Sequence, residues 1–346
     1  MEYKKRTCTC GELRSGDIGK RVTLTGWVDM RRDLGGVVFI DVRDRYGKTQ
    51  VVFNPQTNSG SHKVAGELRS EYVISVSGTV ESRPEGARNA NLPTGEIDVL
   101  ADKLTILNRA DTPPFPIQDE LDVNEEARLQ YRYLDLRRGP MQRNLMVRHR
   151  MYLLARNYFD QHGFVEVETP VLMKSTPEGA RDYLVPSRVH PGKFYALPQS
   201  PQTYKQILMV AGMDRYVQIV KCFRDEDLRA DRQPEFTQID VEMSFVDEKE
   251  VMEIAEGLMK LFFREIKGTE ITLPLPCLTY KEAMEQYGSD KPDLRFGLKI
   301  MAVSDVVKDS GFRVFSDTVK KGGVVAGFIA PGCASYTRNQ LDGLTE

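Results

Sequence analysis

The chain contains 346 residues, 40% of them apolar and 28% charged, a composition typical of a globular protein with two or three domains. Its net charge of −2 argues against nucleic-acid binding through an overall positive charge, so any such contact needs a local basic patch. The five cysteines include no Cys-x-x-Cys pair and the four histidines are scattered, which argues against a disulfide framework and a zinc site.

Targeting and membrane segments are not expected either. No apolar stretch follows the polar residues 1–6, so the pattern of a secretory signal is missing. No run of about 18 apolar residues predicts a transmembrane helix. The cysteine usage favours a reducing compartment, the cytoplasm or an organellar matrix.

Residues 21–107 are predicted to form short β-strands, because apolar and polar side chains alternate between turn residues. About five strands in this length favour a small closed barrel. A helix near residues 62–69 is expected to plug one end of the barrel. The predicted strands cover residues 21–28, 37–43, 49–53, 72–80, 96–100 and 104–107.

The proline-rich residues 111–116 predict a stiff linker, which places a domain boundary near residue 110. Asn124 is a candidate cap for a short helix over residues 125–132, which extends a hinge segment to about residue 140.

From residue 141 the pattern changes to alternating helices and strands. Residues 164–169 form a predicted strand that ends at Pro170, since proline breaks an interior ladder. The order helix, strands, helix, hairpin, helix favours an antiparallel α+β sheet over a doubly wound parallel one. Helices are predicted over residues 143–161, 200–211 and 248–265.

Residues 222–245 form the most informative segment, read as strand, charged loop and strand. A purely structural hairpin needs only a short turn and hides apolar side chains on one face. Here both arms carry charged or amide side chains, with Arg224 and Glu226 on the first and Gln238 and Asp240 on the second. Such a ribbon suits a nucleotide and a small charged substrate, whereas the alternative is a solvated hairpin with surface ion pairs.

This hairpin resembles motif 2 of the class II aminoacyl-tRNA synthetases. Residues 128–137 are similar to the hinge signature of subclass IIb, and the helix and strand that end at Pro170 are similar to motif 1, the homodimer element. Residues 175–182 and 199–206 resemble stretches of the aspartyl-tRNA synthetases of bacterial or organellar type. The resemblance runs along essentially the whole chain.

The resemblance implies an α+β multidomain chain. We expect an OB-fold anticodon-binding domain over residues 1–110, a hinge over 111–140, a class II antiparallel catalytic domain over 141–290, and the start of a bacterial-type insertion domain over 291–346. The family's motif 3, a glycine-rich strand and helix with an arginine that holds ATP, has no counterpart here. The catalytic domain is therefore expected to be incomplete in this chain.

The reaction implied is ATP-dependent activation of L-aspartate to aspartyl-adenylate, with Mg2+ accompanying ATP, and transfer to the 3′ end of tRNA-Asp. Arg224 would hold the α-phosphate and the substrate carboxylate, because a guanidinium is planar and always charged. Glu226, on the same strand face, would contact the adenine amino group or orient Arg224. Phe236 would stack on the adenine, and Asp225 and Gln233 complete the ATP-binding set, with a solvated charge or amide as the alternative for loop residues.

Selecting aspartate over the nearly isosteric asparagine requires a site that reads a charge. The resemblance assigns Lys205 to the substrate β-carboxylate, with Asp240 as support for the ammonium, and Glu178 and Gln202 to the α-amino group. From the residues alone, without the resemblance, an ordinary surface lysine on a helix is the favoured interpretation of Lys205. Glu242 is the carboxylate considered for Mg2+, and no metal ligand is assigned.

In the barrel the resemblance implies a face that binds the anticodon by stacking and phosphate contacts. Phe39 is the predicted stacking platform, with core burial as its alternative, and Gln50 and Glu96 are the predicted readers of base edges. Leu34 lies where anticodon preference is tuned, and acceptance of tRNA-Asn stays open. The arginines predicted near phosphates are Arg31, Arg32 and Arg43.

Two other functions stay open beside the aspartate–tRNA ligase. One is a module that binds the tRNA anticodon and dimerises through the motif 1 helix and strand without chemistry, which the missing motif 3 favours. The other is a lysyl- or asparaginyl-tRNA ligase of the same architecture. The implied partners are tRNA-Asp, ATP, L-aspartate and a second copy of the chain, with no membrane.

Overall fold

The computed structural model describes residues 5–176, 178–227, 229 and 231–344. Pro177 and Leu228, which belong to the family-like stretches, lie outside the described residues, as does most of the polar segment 1–6. The chain divides into two compact units, residues 1–242 and residues 243–346. The domain boundaries proposed near residues 110, 140 and 290 stay predictions.

The first unit contains a closed five-stranded barrel, which confirms the fold predicted for this part of the sequence. The strands are hydrogen-bonded in the order β1-β2-β3-β5-β4, with β3 and β5 parallel and the other pairs antiparallel. Helix α1 follows β3. The ranges are β1 Arg21–Leu34, β2 Val37–Asp44, β3 Gly47–Phe53, α1 Ser59–Gly66, β4 Val73–Ser82 and β5 Ile97–Asn108.

Strand β1 is longer than predicted and does not end near Asp29. It pairs with β4 along its first half and with β2 along its second half, so its charged end still has a hydrogen-bonding partner. Strand β5 likewise joins two segments that were predicted separately. Helix α1 starts three residues earlier than expected, because the Asn58 side chain caps it by accepting the N–H of Ser61 at 2.8 Å.

Inward-facing side chains of the five strands form the apolar core of the barrel. Along β2, Val38, Ile40 and Val42 are buried, whereas Phe39 and Asp41 between them are partly exposed. This alternation is the two-residue period of a half-buried strand. Full burial of one such aliphatic side chain contributes about 1.5–3 kcal/mol.

The hinge and the α+β part follow the barrel within the first unit. The side chain of Asn124 accepts the N–H of Ala127 at 2.9 Å, which confirms the predicted helix cap. The helices are α2 Glu125–Gln130, α3 Arg132–Asp135, α4 Gly139–Gln161 and α5 Gln202–Val210. The strands are β6 Val165–Glu166, β7 Leu184–Pro186, β8 Phe194–Ala196, β9 Arg215–Phe223 and β10 Glu235–Met243.

A three-stranded sheet in the order β10-β9-β6 carries the predicted hairpin. The Arg224 N–H donates to the carbonyl of Pro234 at 2.9 Å and closes the loop between β9 and β10. The α+β class is confirmed, but β6 runs parallel to β9, a detail that the expected antiparallel sheet did not include.

The second unit begins at residue 243 and is mainly helical. Its first helix, α6, starts with a capping box between Asp247 and Glu250 and continues into a single π-helical turn over Phe263–Lys267. Across the described residues, no helix is both long and apolar enough to cross a membrane. The elements are α6 Glu248–Phe262, α7 Tyr280–Tyr287, β11 Met301–Ala302, α8 Ser304–Val307, α9 Arg313–Lys320, β12 Ala326–Gly327 and α10 Arg338–Asp342.

A buried carboxylate joins the barrel to the hinge inside the first unit. Glu71 accepts two hydrogen bonds from Arg43 of β2, at 2.7 and 2.9 Å, and one from Arg137 of the hinge at 2.6 Å. The Arg137 guanidinium also lies 4.8 Å from the ring centroid of Trp27 in β1. A cavity of about 710 Å3 lies beside this junction.

Candidate active site

Lys205 lies on α5 and is buried, with 8% of its surface exposed. Its Nζ is 2.8 Å from Oδ1 of Asp240 and 3.4 Å from Oε2 of Glu242, both on β10. Burial lowers the pKa of Lys205, but the bonds and charges of the two carboxylates outweigh burial and raise it overall. The expected contact with Asp240 is present and the ammonium stays charged, while its role in substrate binding stays a prediction.

The two residues predicted to hold an α-amino group flank the start of α5. Glu178 accepts hydrogen bonds from Thr176 at 2.9 Å and from Ser200 at 2.8 Å, which fixes its carboxylate. Gln202 is the first residue of α5 and lies three residues before Lys205, on the same helix face.

The buried thiol of Cys222 on β9 lies near charged side chains. Burial and the charge of Asp240 raise the pKa of Cys222 to about 11, against the opposing effect of Arg224. The charges of Glu178 and Lys205 act on the same thiol with smaller effects.

Arg224 and Phe236 face each other at the base of the hairpin. The Arg224 guanidinium lies 5.1 Å from the centroid of the Phe236 ring, a cation–π geometry that positions the charge. Glu226 is exposed and lies 3.7 Å from Arg232 in the loop, a surface pair that contributes little to stability. Gln233 is exposed in the same loop.

A polar cavity of about 390 Å3 opens beside the hairpin loop. The N–H of Asp225 donates to the carbonyl of Arg181 at 3.0 Å, so the loop is tied to the segment that carries Glu178. Arginines converging on one cavity suit a ligand that bears phosphates. The charged residues lining it are Arg181, Asp225, Glu226, Asp227, Arg229 and Arg232.

Sequence reasoning gave no role to several buried polar residues. Gln199, 2% exposed, binds the carbonyl of Ala180 at 2.9 Å and the carboxylate of Asp182 at 2.5 Å, which holds the segment beside the cavity. Tyr216 and Gln218 are buried on β9. Polar residues at alternate positions of an apolar strand were the one available signal for them.

No metal centre is assigned. In the part of the chain that the structure describes, no group of three or more His, Cys, Asp or Glu side chains is placed to hold a metal ion. Glu242, the carboxylate considered for Mg2+, faces the ammonium of Lys205 instead.

The outer face of the barrel carries a connected row of polar side chains. Arg32 binds Asp41 at 2.8 Å and Gln50 at 3.0 Å, and Gln50 donates to Asp98 at 2.9 Å. Burial raises the pKa of Asp41 and of Asp98. Phe39 is partly exposed and pairs with Arg32 across β1 and β2, so it lies on this face and not in the core.

The other barrel residues predicted to contact tRNA differ in their solvent exposure. Arg31, Leu34 and Glu96 are exposed, as a nucleic-acid contact requires. Arg43 departs from its expected place near phosphates, because it is only 8% exposed and is held by Glu71. A guanidinium buried against carboxylates is not available to a phosphate, so Arg43 is not part of the tRNA-binding surface proposed below.

Comparison with known proteins gives two family matches. Residues 124–327, more than half of the chain, match the family described as tRNA synthetases class II (D, K and N), and residues 22–107 match the OB-fold nucleic acid binding domain. Among curated relatives, an "Aspartate--tRNA(Asp/Asn) ligase" of Moorella thermoacetica is 60% identical over 98% of this chain and 56% of its own length. Proteins of the same description from Salinibacter ruber and Aquifex aeolicus are 59% and 56% identical, over 99% of this chain and 55% and 57% of their own lengths. The chain thus spans little more than half the length of these relatives.

Solved structures agree on the fold. The asparaginyl-tRNA synthetase of Pyrococcus horikoshii complexed with asparaginyl-adenylate superposes with a TM-score of 0.70 at 23% identity, covering 88% of this chain and 67% of that one. A second solved structure of asparaginyl-tRNA synthetase from Pyrococcus horikoshii gives a TM-score of 0.67 at 24% identity, covering 84% of this chain and 67% of that one. Because the family model matches residues 124–327, this chain belongs to the class II tRNA synthetases of the aspartate, lysine and asparagine group.

Proposed function

We propose that this chain is part of an aspartate–tRNA ligase, which activates L-aspartate with ATP and transfers it to the 3′ end of tRNA-Asp. The observation that carries the proposal is the buried Lys205 ammonium, held at 2.8 Å by Asp240 beside the motif 2 hairpin. A fixed, desolvated cation rejects a neutral amide, because the amide leaves that cation under-paired. The names of the curated relatives support the same substrate.

In the first step, an oxygen of the aspartate α-carboxylate bonds to the α-phosphorus of ATP, the bond to the bridging oxygen breaks, and pyrophosphate leaves. Arg224 would neutralise charge on the α-phosphate, with Phe236 offering a ring for the adenine. Positioning and electrostatic stabilisation supply most of the catalysis of phosphoryl chemistry. Asp225, Glu226 and Gln233 would line the nucleotide side of the site.

The amino-acid side of the site reads both ends of the substrate. Lys205 would pair with the β-carboxylate, with one of its three N–H groups directed at Asp240. Glu178, held by Ser200, and Gln202 would accept from the α-ammonium group. Mg2+ would enter with ATP, and its charge screens the triphosphate when bound.

The barrel would bind the anticodon loop. Phe39 offers a partly exposed ring and Arg32 an exposed cation in the same row, and Gln50 and Glu96 offer base-reading groups. Arg31 adds a second exposed cation. Stacking on one aromatic side chain is worth about 1–3 kcal/mol per base.

We also propose a homodimer that forms through α4 and β6, the motif 1 elements. Leu145, Met146 and Leu153 of α4 are more than two-fifths exposed, a set of apolar side chains that a second copy would cover. We propose the cytoplasm as the location of this protein, a compartment that contains both tRNA and ATP.

ATP–pyrophosphate exchange tests the proposal, run with aspartate, asparagine and lysine in turn, on this chain and on a form extended to the length of the relatives. Aspartate should drive exchange in the extended form. Lys205→Met should lower kcat/KM for aspartate by at least about a hundredfold. Lys193→Met, at an exposed lysine of the same unit, is the control and should change nothing. Exchange that prefers asparagine or lysine would overturn the assignment.

A tRNA-binding module without chemistry is the second candidate for the chain alone. The barrel favours it, because its apolar core is made entirely from its own residues. Filter binding of tRNA-Asp should then survive where exchange is absent. Phe39→Ala should weaken that binding about tenfold and leave exchange untouched.

A further inference from the structure

A chain of buried polar side chains runs from the end of β6 to the lysine site. Thr169 is 8% exposed, Gln218 6%, Tyr216 0% and Asp240 7%. Burying a polar group without a hydrogen-bond partner costs about 1–3 kcal/mol, so such a row needs a reason. Tyr216 and Gln218 lie two residues apart on β9 and therefore share a face of the sheet.

The hydrogen bonds of Gln218 define its amide orientation. With the amide nitrogen turned toward Tyr216, its two N–H groups donate to the Tyr216 hydroxyl at 2.8 Å and to the Thr169 hydroxyl at 2.9 Å, and the Val167 carbonyl lies 3.3 Å from the same nitrogen. The amide oxygen then accepts the N–H of Thr169 at 3.2 Å. In the opposite orientation the amide nitrogen faces the N–H of Thr169 and the amide oxygen faces the Val167 carbonyl, so donor meets donor and acceptor meets acceptor, and the first orientation is the consistent one.

This orientation has a consequence for Tyr216. Because its hydroxyl oxygen accepts from Gln218, its own proton is available to another acceptor. Asp240 offers one: Oδ1 accepts from Lys205, while Oδ2 is buried and has no hydrogen-bond partner among the described residues. Tyr216 lies on β9, the strand hydrogen-bonded to β10, which carries Asp240. Burial and then the charge of Asp240 raise the pKa of Tyr216, so the hydroxyl keeps its proton and remains a donor.

We propose that the Tyr216 hydroxyl, held by Gln218, donates its hydrogen bond to Oδ2 of Asp240. Thr169, Gln218 and Tyr216 then form a relay, named here the Thr169 relay, that positions Asp240 and through it the Lys205 ammonium. None of the three touches the substrate, so they are positioning residues. The inference rests on the proposed function, since it assigns to the relay the precision with which Lys205 distinguishes aspartate from asparagine.

Thr169, the first residue of the Thr169 relay, lies in a segment that is hydrogen-bonded to β9. Thr169 immediately precedes Pro170, at the end of the segment that follows β6. The N–H of Val167 donates to the carbonyl of Val217 at 3.2 Å, so this segment is fixed to β9 between Tyr216 and Gln218. Any shift of the segment therefore changes the Gln218 amide and the carboxylate beyond it.

Calorimetric titration with two non-hydrolysable adenylate analogues, aspartyl-sulfamoyl-adenosine and asparaginyl-sulfamoyl-adenosine, tests the relay. Tyr216→Phe removes one hydroxyl and should weaken the aspartyl analogue at least about tenfold, the range expected for a hydrogen bond to a charged group. The dissociation constant of the asparaginyl analogue should change by less than about twofold. The ratio of the asparaginyl to the aspartyl dissociation constant therefore falls. Tyr195→Phe, at an exposed tyrosine of β8, is the matched control.

A second pair of variants separates positioning from simple loss of stability. Thr169→Val should lower the same ratio, and Thr169→Ser, which restores the hydroxyl, should recover it. A structural role alone would weaken both analogues together and leave the ratio unchanged, which would overturn the relay.

Reductive methylation, read by mass spectrometry, gives a measurement that needs no substrate. Lys205 should react several times faster in Tyr216→Phe than in the unaltered chain, while exposed lysines react equally. Equal reactivity of Lys205 would refute the relay whatever the ligand. If methylation changes as expected but the unaltered chain does not prefer the aspartyl analogue, the relay stands as a constraint on Lys205 and the proposed function fails.

Discussion

Removal of the Glu71 carboxylate should destabilise the junction between barrel and hinge. Glu71 is 3% exposed and accepts three hydrogen bonds from Arg43 and Arg137. Breaking a buried ion pair by deleting one partner costs about 3–5 kcal/mol, because the remaining charge is left desolvated. Asp29 stays beside Arg43 and offsets part of that cost, so we expect Glu71→Ala to lose about 3 kcal/mol.

The backbone at this position supplies an internal comparison. Glu71 has a φ of 66°, in the left-handed region, which costs a residue with a side chain about 1–2 kcal/mol. Glu71→Gly removes the carboxylate but relieves that strain, whereas Glu71→Ala does not. The glycine variant should therefore be the more stable of the two by about 1 kcal/mol.

The protein carries its own probe for this measurement, because Trp27 is its one tryptophan and its ring stacks against Arg137. Urea unfolding followed by tryptophan fluorescence thus reports the junction and the barrel rather than the whole chain. Asp102→Asn, which breaks a half-exposed pair with Arg21, is the control and should cost at most about 1 kcal/mol. A loss in Glu71→Ala no larger than in that control would refute the buried-charge argument.

Two further predictions concern packing and thiol reactivity. Gly78→Ala should destabilise the barrel by about 1–3 kcal/mol in the same urea assay, because the added Cβ would lie 2.2 Å from the carbonyl oxygen of Leu100. Gly66→Ala is the control, because the space around Gly66 is open, and it should be neutral or stabilising by up to about 1 kcal/mol. Iodoacetamide at pH 8 should alkylate the exposed Cys277 and leave Cys222 unmodified. Burial and the charge of Asp240 raise the pKa of Cys222 to about 11, so almost no thiolate is present at pH 8. Mass spectrometry that finds Cys222 labelled as fast as Cys277 would contradict this prediction.

The parts of the fold that the sequence predicted are those set by local patterns. Alternation of apolar and polar residues identified the barrel strands, and Asn124 identified a helix start, because both depend on residues next to one another. The second half of β1 was missed because its partner, β2, supplies the hydrogen bonds that keep residues as polar as Arg31 and Arg32 in a strand. Tertiary pairing of this kind leaves no trace in local alternation.

The candidate site shows a similar division. The contact between Lys205 and Asp240 joins residues 35 positions apart, and periodicity alone could not pair them. The family resemblance supplied that pair, because it compares whole motifs and not neighbouring residues. The relay through Tyr216 and Gln218 escaped because neither a motif nor a charge marks an uncharged polar residue inside an apolar strand.

Arg43 and Lys205 show why burial alone does not identify a ligand-binding cation. Both are 8% exposed, and each is paired with two carboxylates. The partner of Arg43, Glu71, also binds the hinge, so the charges at that junction serve the connection between two parts of the fold. Lys205 directs two of its three N–H groups at Asp240 and Glu242, and in the described part of the chain no acceptor takes the third. A buried cation that keeps a donor after its structural partners are counted is the one suited to a substrate carboxylate.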